Sequence, residues 1–129
     1  MTALPGLDRW HAYIASKDHA ALWELLHPDA VFESPVVHTP QRGRPIVFKY
    51  LQGADKVLGG ANFRYTGEWL NARSAVLEFA TEVEGIAING IDMIGFDERG
   101  SITTFKVMVR PLKAVNLLHR MMGEQLARA

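Results

Sequence analysis

The chain has 129 residues, 48% of them hydrophobic and 22% charged, the make-up of an ordinary soluble globular protein able to bury roughly two-thirds of its unfolded surface. Fourteen basic and fourteen acidic side chains cancel, leaving no electrostatic footprint for nucleic acid or an anionic membrane. Cysteine is absent, which excludes disulfides, iron–sulfur clusters and thiolate zinc sites.

Met1-Thr2-Ala3-Leu4-Pro5-Gly6 lacks the basic-then-apolar pattern of a signal peptide. No apolar run approaches the roughly 20 residues that span a bilayer. The expectation is a cytoplasmic single domain over residues 1–129. Asp8 can cap a first helix with Leu7, Trp10 and Ile14 on one face. Ser16-Lys17-Asp18 breaks it, and Asp18 can cap a second helix carrying Ala21, Leu22, Leu25 and Leu26. His27-Pro28 ends that helix, because the residue before proline is pushed out of the α region. Ala30-Val31-Phe32-Glu33 reads as a short strand, and Ser34 to Gly43 as a proline-bracketed loop. Pro45 suits the first turn of a third helix whose core face is Ile46, Val47, Tyr50, Leu51 and Leu58, stopped by Gly59-Gly60.

The period then changes. Phe63, Tyr65 and Trp69 alternate with Arg64, Thr66 and Glu68, the two-residue repeat of a half-buried strand. A strand at about 74–83 follows, with Leu77, Phe79, Thr81 and Val83 on one face. Both Glu84-Gly85 and Asn89-Gly90 suit a hairpin. Matched strand lengths favour a turn at Glu84-Gly85, which makes Asn89-Gly90 a bulge or bend in a long strand. Two long strands then meet at Asp97-Glu98-Arg99-Gly100, and Pro111 starts a last helix with Leu112, Val115, Leu118, Met122 and Leu126 along one stripe. Helices segregated to one side of a mostly antiparallel sheet make an α+β fold with a tapering cavity between the layers.

Within that frame Asp92 is the residue to question first. It lies among Ile91, Met93 and Ile94, and a carboxylate in apolar surroundings must find a partner, stay protonated or line a cavity. His38, in the proline-bracketed loop, titrates near neutral pH and is the candidate base. Trp10, Tyr13, Ser34, Tyr50 and Tyr65 are candidate lining groups for a ligand. Histidines are scattered without zinc spacing, and neither a nucleophile elbow nor a phosphate loop occurs. No metal and no cofactor is therefore expected.

Two segments carry a resemblance. Leu25-Leu26-His27-Pro28-Asp29-Ala30-Val31-Phe32-Glu33-Ser34-Pro35 with Pro40-Gln41-Arg42-Gly43, and Gly85…Gly90-Ile91-Asp92…Phe96-Asp97…Gly100-Ser101-Ile102, resemble the nuclear transport factor 2-like superfamily. That superfamily includes ketosteroid isomerases and SnoaL-like polyketide cyclases. The resemblance implies a cone-like barrel, a curved sheet wrapped around N-terminal helices (the cystatin-like arrangement), and a homodimer through the outer sheet face. Carried over residue by residue, the isomerase's oxyanion-hole aspartate falls on Asp92, its catalytic base on Ser34 and its oxyanion-hole tyrosine on Trp10. A serine hydroxyl cannot take up a proton near neutral pH, and an indole donates without ionising. Successive strand residues face opposite ways, which points Glu33 away from the site. The expected function is a pocket for a small apolar molecule, with isomerase-, cyclase- or dehydratase-type acid–base chemistry on a carbonyl-bearing, steroid- or polyketide-like substrate. The alternative is a non-catalytic ligand-binding or dimerisation module whose cavity is filled by its own side chains.

Overall fold

The computed structural model describes residues 4–128. Met1-Thr2-Ala3, the start of the segment expected to lack a leader, and Ala129 lie outside the described residues. The elements run α1 (Pro5–Ser16), α2 (His19–Leu25), β1 (Leu26–Glu33), β2 (Gln41–Arg42), α3 (Arg44–Leu58), β3 (Arg64–Leu70), β4 (Ser74–Val83), β5 (Ile86–Phe96), β6 (Ile102–Arg110) and α4 (Leu112–Arg128).

Local chemistry accounts for most boundaries. Pro5 occupies the first turn of α1, where its fixed φ suits a helix. Asp8 therefore sits inside the first turn, not at the cap, and its charge still favours the helix dipole there. Asp18 caps α2 as expected, accepting from the Ala20 amide at 3.1 Å. The chain enters β1 already at Leu26, earlier than expected, because Leu26 pairs with Ile102 of β6. The ladder is irregular between Leu26 and Val31, where Pro28 has no N–H to give.

The strands form one curved, unclosed sheet in the order β2-β1-β6-β5-β4-β3. Only the β1–β6 pair is parallel. One face is buried: Ala75, Leu77, Phe79 and Thr81 of β4, Ile88, Asp92, Ile94 and Phe96 of β5, and Phe105 and Val107 of β6. The helices cover that face, α3 against β1 and β4, and α4 against β5 and β6. On the outer face two cross-strand rows run side by side, Trp69–Val76–Met93–Lys106 and Gly67–Glu78–Ile91–Met108. Trp69 and Met108 there are 60% and 49% exposed.

Three details differ from the sequence reading. The register shifts between Tyr65 and Gly67, and this bulge leaves Tyr65 opposite buried Phe79 while turning Trp69 to the outer face opposite Val76. Simple alternation would have put both rings on one side. Asn89-Gly90 is no bulge, since β4 and β5 pair without a slip through it. Gly90 is instead a close approach: a Cβ there would lie 2.5 Å from the Phe79 ring and 2.6 Å from the Met108 carbonyl oxygen. The turn falls at Glu84-Gly85, both with positive φ (51° and 77°), the pairing a tight hairpin requires. In α4 the buried stripe is Ala114, Leu117 and Leu118, with Met121 and Met122 packed on it, and Leu112 is 75% exposed. The stripe runs through Ala114 and Leu117 and leaves Leu112 outside it. Among the described residues no helix is long and apolar enough to cross a membrane.

Gly90→Ala would force the Phe79 ring out of its place in the inner layer. The expected result is a loss of about 1–3 kcal/mol in urea unfolding. An unchanged unfolding midpoint would show that the ring moves without cost.

Candidate functional site

Between the inner sheet face and the helices lies a pocket enclosing about 740 Å³ of empty space, its open mouth included. Phe32, Phe63, Phe79, Phe105, Val107 and Leu118 make its apolar wall. Trp10, Tyr13, Lys17, Ser34, Asp55, Tyr65 and Asp92 are the lining residues that carry polar groups.

At the centre of the inner face Asp92 pairs with Leu77 on one side and Val107 on the other, and it is 7% exposed. The two-residue period of β5 puts it in line with Ile88, Gly90 and Ile94, so it cannot turn to solvent. Tyr65 reaches it from β3, its hydroxyl donating to Asp92 Oδ2 at 2.6 Å. Trp10 reaches the same hydroxyl from α1, its indole Nε1 donating to the Tyr65 oxygen at 3.0 Å. The three make a single-file relay of donors, indole to phenol to carboxyl, drawn from three elements. Linked donors of this kind polarise one another in a low-dielectric interior. Against Tyr65 also stands His11, ring edge to face at 5.7 Å, held by Glu68 at 2.6 Å.

Burial pushes the Asp92 carboxyl up to about 7, against which the Tyr65 hydrogen bond pulls down. Burial, and then the facing Asp92 charge, push the Tyr65 phenol well above its ordinary range. Tyr65 therefore stays a donor at any physiological pH, while Asp92 is present both as acid and as carboxylate near neutrality.

The remaining candidates divide. Ser34 lines the pocket, its Oγ accepting from the Val36 amide at 3.1 Å. Neighbouring Glu33 points the other way, to Lys106 at 3.4 Å, as strand alternation requires. Tyr13 lines the pocket and is 1% exposed. His38 is exposed in its loop and is not among the lining residues. Tyr50 does not line the pocket either: its ring lies on Phe32 at 5.3 Å. Aromatic rings narrow the hollow without filling it. Trp10, Phe63 and Phe79 form its walls, whereas Phe48 packs against Trp23 at 5.2 Å outside it.

Two lining charges escaped the sequence reading. Lys17, just past the end of α1, pairs directly with Asp55 of α3. A signal existed for both. Trp10, Tyr13, Ile14 and Lys17 repeat at helical spacing, and Asp55 falls on the apolar stripe of Val47, Leu51 and Leu58. Among the described residues no three His, Asp or Glu side chains converge as a metal site would need.

No family model matches this chain, and no curated protein does. Solved structures do. A nuclear transport factor 2-like protein of unknown function from Cytophaga hutchinsonii shares the fold at a TM-score of 0.64 and 15% identity, over 88% of this chain and 95% of that one. An uncharacterized bacterial protein with a cystatin-like fold from Silicibacter pomeroyi reaches 0.86 at 29% identity, covering 95% and 85%. A steroid delta-isomerase from Pseudomonas aeruginosa reaches 0.91 at 42% identity, covering 98% of this chain and 92% of that one. The chain belongs to the nuclear transport factor 2-like superfamily. Nuclear transport factor 2-like members are related here by fold, and the reaction must be argued from the pocket itself.

The Asp92 shift has a consequence for folding. An aspartate in the unfolded chain releases its proton near 3.8, while folded Asp92 holds it to about 7. Between these values the folded state carries the extra proton, so this group makes stability fall as pH rises through that window. Asp92→Asn should remove the slope, so that urea unfolding measured pH by pH moves in the variant's favour from 3.8 towards 7. A wild-type-to-variant difference that stays flat would contradict the shift.

Proposed function

We propose that the pocket binds an apolar, carbonyl-bearing small molecule and exchanges a proton with it through Asp92, an isomerase-type acid–base activity on a steroid- or polyketide-like ligand. The observation that carries this reading is the Trp10–Tyr65–Asp92 relay, which ends on a buried carboxyl in the lining of a largely apolar pocket. The likeness to a steroid delta-isomerase over nearly the whole chain supports it. In neutral form Asp92 can donate to the ligand's carbonyl oxygen. As that oxygen takes the Asp92 proton, water at the open mouth takes one from the adjacent carbon. Return of a proton from that water to the far carbon of the new double-bond system, and of the oxygen's proton to Asp92, completes the shift, with the Tyr65 hydrogen bond stabilising the Asp92 carboxylate in between. A carboxyl poised near 7 is efficient in both directions of proton exchange at neutral pH. Asp55, the other lining carboxylate, is already held by Lys17, which leaves Asp92 as the group free to exchange.

A second reading is binding without turnover. The residue that favours it is Ser34, which stands where the resemblance places a base and cannot take up a proton near neutrality.

Asp92→Asn separates the two. The amide still donates to a carbonyl but cannot pass a proton. Binding of a fused-ring enone, followed by tryptophan fluorescence, should stay within a few-fold of wild type. Conversion of an unconjugated ketosteroid to its conjugated isomer, followed by absorbance, should fall by about 100-fold or more. Wild-type ketone binding should also weaken as pH rises past about 7, where Asp92 loses the proton it donates. Turnover unaffected in the variant would remove Asp92 from the chemistry. Binding with no turnover in wild type would establish the second reading.

A further inference from the structure

We infer that His11 and Glu68 are positioning residues for the relay, a clamp that holds the Tyr65 ring so that its hydroxyl stays on Asp92. The assignment rests on the reading of Asp92 as the proton-exchanging group and adds the side chains that hold its partner. His11 Nε2 and Glu68 Oε1 lie 2.6 Å apart, with the ring nitrogen donating to the carboxylate. Neither residue lines the pocket. Any effect on the chemistry therefore passes through Tyr65.

Tyr65 needs such a hold. It belongs to β3, which ends the sheet and pairs on one side only, with β4. The ladder slips between Tyr65 and Gly67, so strand pairing is interrupted beside the residue that must aim at Asp92. Support from outside the sheet comes from two consecutive residues of α1. Trp10 donates to the hydroxyl oxygen at 3.0 Å, and the His11 ring meets the Tyr65 ring edge to face at 5.7 Å. Phe63 flanks that ring too, at 5.1 Å, but it precedes β3 on the same segment and moves with it.

The slip also supplies the other half of the clamp. Unbroken alternation would send Glu68 to the face opposite Tyr65. With one residue bulged, Glu68 stands opposite Leu77, and Leu77 opposite Asp92. Glu68 thus enters the inner-face row of Asp92 itself, two strands away, and there it meets His11. One backbone irregularity lets Tyr65 and Glu68 both face α1. With side chains 36% and 38% exposed, the pair adds little to stability as an ion pair. Its contribution is a fixed place for the ring.

The test compares Glu68→Gln with Glu68→Ala. Both remove the charge, and only alanine removes the hydrogen bond to His11. The exposed position spares folding in either variant. Asp92 is followed in the ligand-free protein by carbon-13 NMR of its side-chain carboxyl, assigned by its loss in Asp92→Asn. The Tyr65 hydrogen bond pulls Asp92 down, so Asp92 should titrate roughly half a pH unit higher in Glu68→Ala than in Glu68→Gln. On a Tyr65→Phe background the difference should vanish, because the clamp then has no hydroxyl to aim. Equal titration in the alanine and glutamine variants, or a difference that persists without the Tyr65 hydroxyl, overturns the inference. The two readings fail separately. A wild-type Asp92 that titrates in the ordinary carboxyl range removes the acid–base reading, while the difference between the variants still decides the clamp.

Discussion

A carboxyl group in the middle of a buried sheet face is the constraint around which this molecule is arranged. Left alone, Asp92 would carry a desolvation cost comparable to a large fraction of a small domain's stability. Two features reduce it. The group can keep its proton, and the Tyr65 hydroxyl, 2.6 Å away, satisfies one oxygen. Tyr65 in turn has its oxygen satisfied by Trp10. Asp92 also lines the pocket, beside Phe79, Phe105 and Val107.

That solution ties local backbone features to chemistry. Tyr65 faces inward because the chain slips by one residue before Gly67, and the same slip sends Trp69 to the outer surface. Gly90 has no side chain because Phe79 occupies the space, and Phe79 is part of the pocket wall. Pro5 sets where α1 starts, and its helical register then places Trp10, Tyr13 and Lys17 along one lining stripe. Positions that look merely structural thus determine where the donors point.

Much of this was legible in the residues. The order of helices and strands follows from periods and punctuation, and the turn at Glu84-Gly85 from strand lengths. Asp92 declared itself by its apolar neighbours, and two-residue alternation put it on the inner face with Ile88 and Ile94. What could not be read was anything that depends on a slip or a partner across the fold. The bulge beside Tyr65 has no local signature, so Tyr65 and Trp69 looked alike. His38 is left exposed by its loop, and Tyr50 turns onto Phe32, neither fate being written in local pattern. Asp55 lies on the apolar stripe of α3 at helical spacing from Val47, Leu51 and Leu58, but its pairing with Lys17 of another segment has no local signature.

The account stands on neutral Asp92 donating to a ligand oxygen. Infrared spectroscopy of a bound fused-ring enone reads that bond directly through the ligand's own carbonyl stretch. Below pH 7 the stretch should fall to lower frequency than in Asp92→Leu, and the difference should vanish as pH rises well above about 7. A stretch identical in both proteins, or one unmoved by pH, would contradict it.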